Sequence, residues 1–343
     1  MPIPLESAVS TLDQAAVAQD AGTRFGAHAA AILELLSESM EWVEGALRES
    51  TAECAVPADA AAHHLVSRGG KRVRPMALLL STACFGEITL RAREMAVVAE
   101  LVHSATLLHD DVIDDGMERR GAPTARRSWG NGMSVLAGDL LLVHSIERTL
   151  RQFPEALPTL SSTLRRLVEG EVVQMRGRTE LDVSERTYDL ILQGKTASLF
   201  AWATRVGAWL GGAPGDKRDE FGEFGGQLGM AFQLVDDVLD YVGEDTGKTP
   251  LADLAEGKLT LPLVLALQRR PGLLRPVRRI HRGDSAPVGE VAEAVVESGA
   301  CELVRQRALG YTQSAIQILH RAPESAARDV LESVARQLTD RTS

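Results

Sequence analysis

Asp110, Asp111 and Asp114 end an apolar run, AELVHSATLLHDDVIDD (Ala99 to Asp115), and on a helix they share one face with His103 and Leu107. Carboxylates stacked in this way repel one another unless a cation sits among them. Hard dications such as Mg²⁺ suit carboxylate oxygens and leave their other positions to water or phosphate oxygens. A second stretch, GMAFQLVDDVLD (Gly229 to Asp240), repeats the stripe with Gly229, Gln233, Asp236, Asp237 and Asp240. One DDxxD reads as readily as a solvated helix end. Two near-copies, each behind apolar turns that must be buried, point instead to a pair of carboxylate helices clamping Mg²⁺ ions around a diphosphate.

The chain has a formal charge of −10, so local clusters of cations stand against its overall sign. Lys71, Arg72, Arg74, Arg119, Arg120, Lys195, Lys248 and Lys258 each lie in a Gly-rich turn or beside an Asp motif. Arginine forks match phosphate oxygens in pairs, whereas lysine supplies a movable point charge. With bound metal and an aliphatic helix wall, such residues describe a site for diphosphate at the mouth and hydrocarbon below, the profile of a prenyl diphosphate. Other charges read differently: Arg126, Arg127, Arg278 and Arg279 as surface groups, and Arg72 as ambiguous, since it cannot share one direction with Lys71 and Arg74. His103 alone is as readily a satisfied core histidine as a ligand. Gln233 and Thr196 read equally well as polar groups between packed helices.

The elements that must hold these residues are helical. Apolar residues make up 45% of the chain and aromatics only 4%, with Ala and Leu dominant. Ile32 to Leu47, Met76 to Cys84, the run before Asp110, Leu136 to Ile146, Leu160 to Met175 and the run before Asp236 carry the helical period. In the fourth of these, Leu136, Leu140, Val143 and Ile146 are core candidates, and Asp139 is the odd charge among them. Gly194-Lys195-Thr196 interrupts another helix that Ser184 caps. There is no sustained period-two alternation and no hairpin signal. The expectation is an all-α bundle of about a dozen helices around a central cavity, as one domain over residues 25–343, preceded by a loosely docked arm over 1–24. The acidic balance argues against a nucleic-acid binder, and no apolar run is long enough for a membrane span. Cys54, Cys84 and Cys301 lack metal-ligand spacing, which suits a reducing cytoplasm.

GGKRVRP, LLHDDVIDDGMERRG, GKTASLF, FQLVDDVLD and the loop from Lys248 to Lys258 resemble, in order, the five characteristic regions of trans-isoprenyl diphosphate synthases. The resemblance spans Gly69 to Lys258. It implies that Lys71, Arg74, His103 and Arg120 hold isopentenyl diphosphate, and that Arg119, Lys195, Thr196, Gln233, Lys248 and Lys258 grip an allylic diphosphate. It further implies that Asp110, Asp114 and Asp236 bind about three Mg²⁺ ions, with Asp111, Asp237 and Asp240 supporting them, and that the chain works as a homodimer. The family's basic C-terminal tail is reduced here to Arg341, and Asp115 stands outside the motif. The implied reaction is head-to-tail condensation through an allylic cation in a dry aliphatic tube, with product hand-off at a membrane.

Product length follows from the side chains above Asp110. Ala105 and Thr106 are small where, in the short-chain relatives the resemblance implies, a bulky aromatic stands four or five residues before the first Asp, and Val102 continues the stripe above them, so the expected product is longer than geranylgeranyl diphosphate. A lower floor from Met133, Leu136 or Leu140 would instead make a geranylgeranyl diphosphate synthase. Two rivals remain: a class I terpene cyclase, against which DDVLD and GGKRVRP argue, and a non-catalytic partner subunit, which would show eroded Asp or Arg positions.

Overall fold

The computed structural model describes residues 24–52, 57–242 and 251–340. The arm, Cys54, Lys248 and Arg341 lie outside the described residues. What is described is almost entirely helical. These described residues divide into two compact units interleaved in sequence, one drawn from 24–161, 199–225 and 316–335, the other from 162–198, 226–315 and 336–340.

The first unit contains α1 (Arg24–Ala52), α2 (Ala58–Val66), α3 (Val73–Ala83), α4 (Leu90–Ile113), α5 (Ala125–Trp129) and α6 (Asn131–Gln152). Helix α4 carries the first aspartate motif. Thr89 caps it, its hydroxyl accepting from the Ala92 amide at 3.4 Å. From Met95 to Val102 its apolar residues are all fully buried, as befits a helix that is apolar on every side. Helix α6 lies against it at close range. A Cβ on Gly138 would collide with the His109 ring, and Ser134 Oγ donates to the Leu108 carbonyl at 2.9 Å. Arg148 of α6 donates to Glu94 (2.6 Å) and to Ser50 (2.9 Å), joining α6 to α4 and α1.

This close approach overturns the expected core face of α6. Its buried residues are Ser134, Ala137, Gly138, Leu141, Ser145 and Thr149, whereas Leu136 and Val143 are 55% and 48% exposed, and Leu140 and Ile146 are half-buried. The bulk sits on α4, so α6 turns its small residues toward it; periodicity finds an apolar stripe but not its partner. The structure also holds a hairpin that sequence patterning missed. β1 (Glu118–Arg119) pairs with β2 (Ala122–Pro123) across a turn at Arg120-Gly121, both with positive φ (54° and 70°). Strands of two residues are too short to alternate, and arginine is not a usual first residue of such a turn.

The second unit takes most of α7 (Leu157–Glu180), then α8 (Glu185–Leu192), and a π-helical turn over Gln193–Ala197. The chain continues through α9 (Ser198–Leu210) of the first unit into α10 (Gly215–Val242), whose later turns carry the second aspartate motif. Ser184 caps α8 as expected, its Oγ accepting from the Thr187 amide at 3.2 Å. Gly170 of α7 and Gly194 of the π turn allow two backbones to cross, since a Cβ on Gly194 would stand 2.8 Å from the Gly170 Cα. Leu234 and Val238 anchor the end of α10 in a core with Leu263, Val264, Val291 and Val304. Among the described residues no helix is long and apolar enough to cross a membrane.

Candidate active site

In the first unit the site grows from the turn between α2 and α3. Arg72 sits there with a left-handed backbone (φ 45°) and is only 5% exposed. Its guanidinium donates to Glu44 (2.5 and 3.1 Å), to Glu100 (2.6 Å) and to the Val66 carbonyl (2.9 Å). Arg72 is therefore a bolt fastening the turn to α1 and α4, its guanidinium taken up by Glu44, Glu100 and the Val66 carbonyl. Lys71 beside it is exposed, and Arg74 is buried with its guanidinium 4.7 Å from the Phe200 ring centre.

The β1–β2 hairpin brings its arginines to the same place by different routes. Arg120, at the turn, lies over Gly70: a Cβ on that glycine would stand 2.7 Å from Arg120 Nη2. Arg119 reaches back to Asp111, whose Oδ1 accepts from Nε and Nη2, each at 2.8 Å. Asp111 is 2% exposed, while Asp110 and Asp114 are half-buried. His103 is half-buried; burial first, then the charges of Arg74, Arg120, Arg119 and Arg72, hold its pKa well below the usual histidine value. It is a neutral imidazole set among cations. Asp115 pairs with Arg126 at 2.9 Å, and Arg126 also donates to Asn131 at 3.0 Å. The sequence reading of Arg126 as a plain surface charge is thus corrected: it ties Asp115, just past the end of α4, to Asn131 at the start of α6.

In the second unit the π turn presents Lys195 and Thr196. Lys195 is ion-paired with Glu171 of α7. Thr196 Oγ1 donates to Gln233 Oε1 (3.0 Å), and Gln233 Nε2 donates to Asp237 Oδ1 (3.0 Å). Tyr188 donates to the other oxygen of Asp237 at 2.6 Å. Burial, then the charge of Asp253, pushes the Asp237 carboxyl up to about 7. Asp236 and Asp240 are half-buried one turn apart on α10. Lys258 contacts Asp253 (3.2 Å) and Glu256 (2.7 Å). Above Asp110, Val102 and Ala105 are fully buried, and Thr106 donates to the His103 carbonyl at 2.7 Å.

Sequence reasoning passed over Glu44, Glu100, Glu171 and Tyr188. Glu100 gave a signal, as a carboxylate within a wholly apolar helical run; Tyr188 gave none. Among the described residues no three His, Cys, Asp or Glu side chains form a closed metal cage. The oxygen donors come as pairs instead, Asp110 with Asp114 and Asp236 with Asp240. Such pairs fit Mg²⁺, which binds through one or two carboxylates and completes its shell with water and substrate phosphate.

The polyprenyl synthetase family model matches residues 57–298. An all-trans-nonaprenyl-diphosphate synthase (geranyl-diphosphate specific) of Rhodobacter capsulatus is 39% identical over 284 residues, covering 81% of this chain and 87% of the relative. A short chain isoprenyl diphosphate synthase of Methanothermobacter thermautotrophicus is 34% identical over 320 residues, 90% of this chain and 98% of that one. The crystal structure of a polyprenyl synthase from Caulobacter crescentus, complexed with calcium and isoprenyl diphosphate, superposes with a TM-score of 0.85 at 34% identity, over 92% of this chain and 98% of that one.

Proposed function

Because the chain belongs to the polyprenyl synthetase family, we propose that it is an all-trans polyprenyl diphosphate synthase, adding isopentenyl diphosphate head to tail onto an allylic diphosphate. The observation that carries this reading is the cationic cluster of the first unit, where the hairpin lays Arg120 on Gly70 beside Arg74 and a neutral His103. Cations gathered so closely repel one another, and a diphosphate removes that repulsion. Arg74, Arg120, Lys71 and His103 hold isopentenyl diphosphate. Arg119, Lys195, Thr196, Gln233, Lys248 and Lys258 hold the allylic partner.

Asp110, Asp114, Asp236 and Asp240 bind Mg²⁺, about three ions in all, with Asp111 and Asp237 in supporting places. The metal supplies Lewis-acid stabilisation of the departing diphosphate. The residues around it add positive charge where negative charge develops and keep water from the allylic cation. The alkene of isopentenyl diphosphate attacks that cation, and the proton then lost goes to the released diphosphate. No side-chain nucleophile takes part, and the described cysteines, Cys84 and Cys301, are free and buried away from the motifs. We place the enzyme in the cytoplasm as a homodimer.

A product longer than geranylgeranyl diphosphate is favoured by the small side chains of Ala105 and Thr106 and by the nonaprenyl synthase among the relatives. The test is incubation of purified protein and Mg²⁺ with labelled isopentenyl diphosphate and each of geranyl, farnesyl and geranylgeranyl diphosphate, with sizing of the products. Products longer than geranylgeranyl are expected. Asp110→Ala or Asp236→Ala should abolish turnover and leave the helical circular dichroism intact. Turnover in EDTA, or near-normal activity of either variant, overturns the reading.

A further inference from the structure

Each aspartate motif has a middle carboxylate with a fate different from its neighbours. In the first motif Asp111 is 2% exposed and takes both near nitrogens of Arg119. In the second, Asp237 is 3% exposed and is held by Tyr188 and Gln233. The two units thus repeat one arrangement: outer carboxylates half-buried, the middle one turned inward onto a donor. Arg119 is already among the diphosphate-gripping residues, and the donor in its place in the second unit is Tyr188.

We propose that Tyr188 is a positioning residue for the allylic diphosphate, setting the π turn that bears Lys195 and Thr196 against the helix that bears Asp236 and Asp240. The proposal rests on the synthase reading above. Its argument is the direction of each hydrogen bond. A tyrosine hydroxyl has one proton, and Tyr188 gives it to Asp237 Oδ2 at 2.6 Å. In its ionised form Asp237 only accepts, and the group of Gln233 that faces its Oδ1 is Nε2, at 3.0 Å. That turns Gln233 Oε1 toward Thr196, whose hydroxyl must then be the donor, also at 3.0 Å.

The chain starts on α8, crosses α10 and returns to the π turn that follows α8. It therefore fixes two segments at once. It also occupies both oxygens of Asp237 and keeps that carboxylate from competing for the cation meant for Asp236 and Asp240. Tyr188 is 4% exposed and Thr196 7%, so water cannot readily replace a missing link. The close crossing of Gly170 and Gly194 and the Lys195–Glu171 ion pair hold the π turn to α7, and the hydrogen-bonded chain from Tyr188 ties the same turn to α10. Preorganisation of this kind matters because a diphosphate gripped at both ends tolerates little relative movement of its ligands.

The test is Tyr188→Phe, which keeps the ring and removes the hydroxyl, with Asp237→Asn as a second variant of the same shape. Both should raise KM for the allylic diphosphate roughly tenfold and leave KM for isopentenyl diphosphate within about twofold of wild type. A double-mutant cycle of Tyr188→Phe with Thr196→Val should be strongly non-additive, since each substitution breaks the same chain. Equal rises in both KM values, or an additive cycle, overturn the proposal and leave Tyr188 a packing residue. An inactive wild type that also fails to bind an allylic thiolodiphosphate by calorimetry sinks the synthase reading itself. Active wild type with an unchanged Tyr188→Phe sinks only this inference.

Discussion

Arg119 and Arg120 are adjacent in sequence and part company in space. A strand residue and a turn residue point their side chains differently, and here one guanidinium goes to Asp111 and the other lies over Gly70. The family resemblance already assigned Arg119 to the allylic diphosphate and Arg120 to isopentenyl diphosphate; the hairpin, which the sequence did not disclose, is what sends the two side chains apart. The division predicts separable effects. Arg119→Ala should chiefly raise KM for the allylic diphosphate and Arg120→Ala that for isopentenyl diphosphate, each by a charge-assisted contact of about 1.5–3 kcal/mol. Stability should separate them as well. Removing Arg119 takes from the buried Asp111 a guanidinium that gives two nitrogens to its Oδ1, a change costing about 3 kcal/mol, whereas Arg120 is exposed at its turn. Thermal melting should therefore fall for Arg119→Ala and hold for Arg120→Ala. Equal effects on both substrates would show that the hairpin does not divide them.

At the scale of elements, the aspartate helices were legible because their signal is dense: carboxylates at fixed spacing behind a buried apolar run. Helix α4 fits that reading along its length, with Val102, Ala105 and Leu108 all fully buried. The π turn was legible as an interruption at Gly194-Lys195-Thr196, though not as a π turn, nor as the place where Gly194 crosses the distant Gly170. Helix α6 was legible as a helix and misread as to its face, because small residues such as Ala137 and Gly138 carry little weight in an apolar pattern yet decide how closely two helices approach. The same tightness bears on product length. Ala105→Phe places a ring on a helix with no free side at that position, where overpacking costs about 1–3 kcal/mol. It should shorten the products measured by chromatography of the dephosphorylated alcohols. An unchanged product distribution would mean that the floor is set elsewhere.

At the scale of the whole chain, the pattern of apolar residues gave no boundary, and the two interleaved units explain why. Helices α7 and α10 each continue from one unit into the other without a break in their apolar period, so no linker composition marks the passage. Among the described residues two helices leave an apolar stripe exposed: α7 at Val168, Val172 and Met175, and α6 on its outer face. Leu136, Val143 and Leu150 are 55%, 48% and 49% exposed, and Val135 adds 38%. Half-buried Met133, Leu140 and Ile146 continue the stripe. A single exposed leucine needs no explanation, but a continuous stripe along a 22-residue helix marks an interaction surface. The homodimer we propose supplies its natural cover, since a twofold axis sets one such stripe against another. Leu136→Asp combined with Val143→Asp would bury two charges per copy in that interface and should halve the mass seen by light scattering. Both positions are exposed in the single chain, so the helical signal should survive the change. A wild type that is already monomeric, or a charged variant that keeps the wild-type mass, would move the dimer contact away from α6.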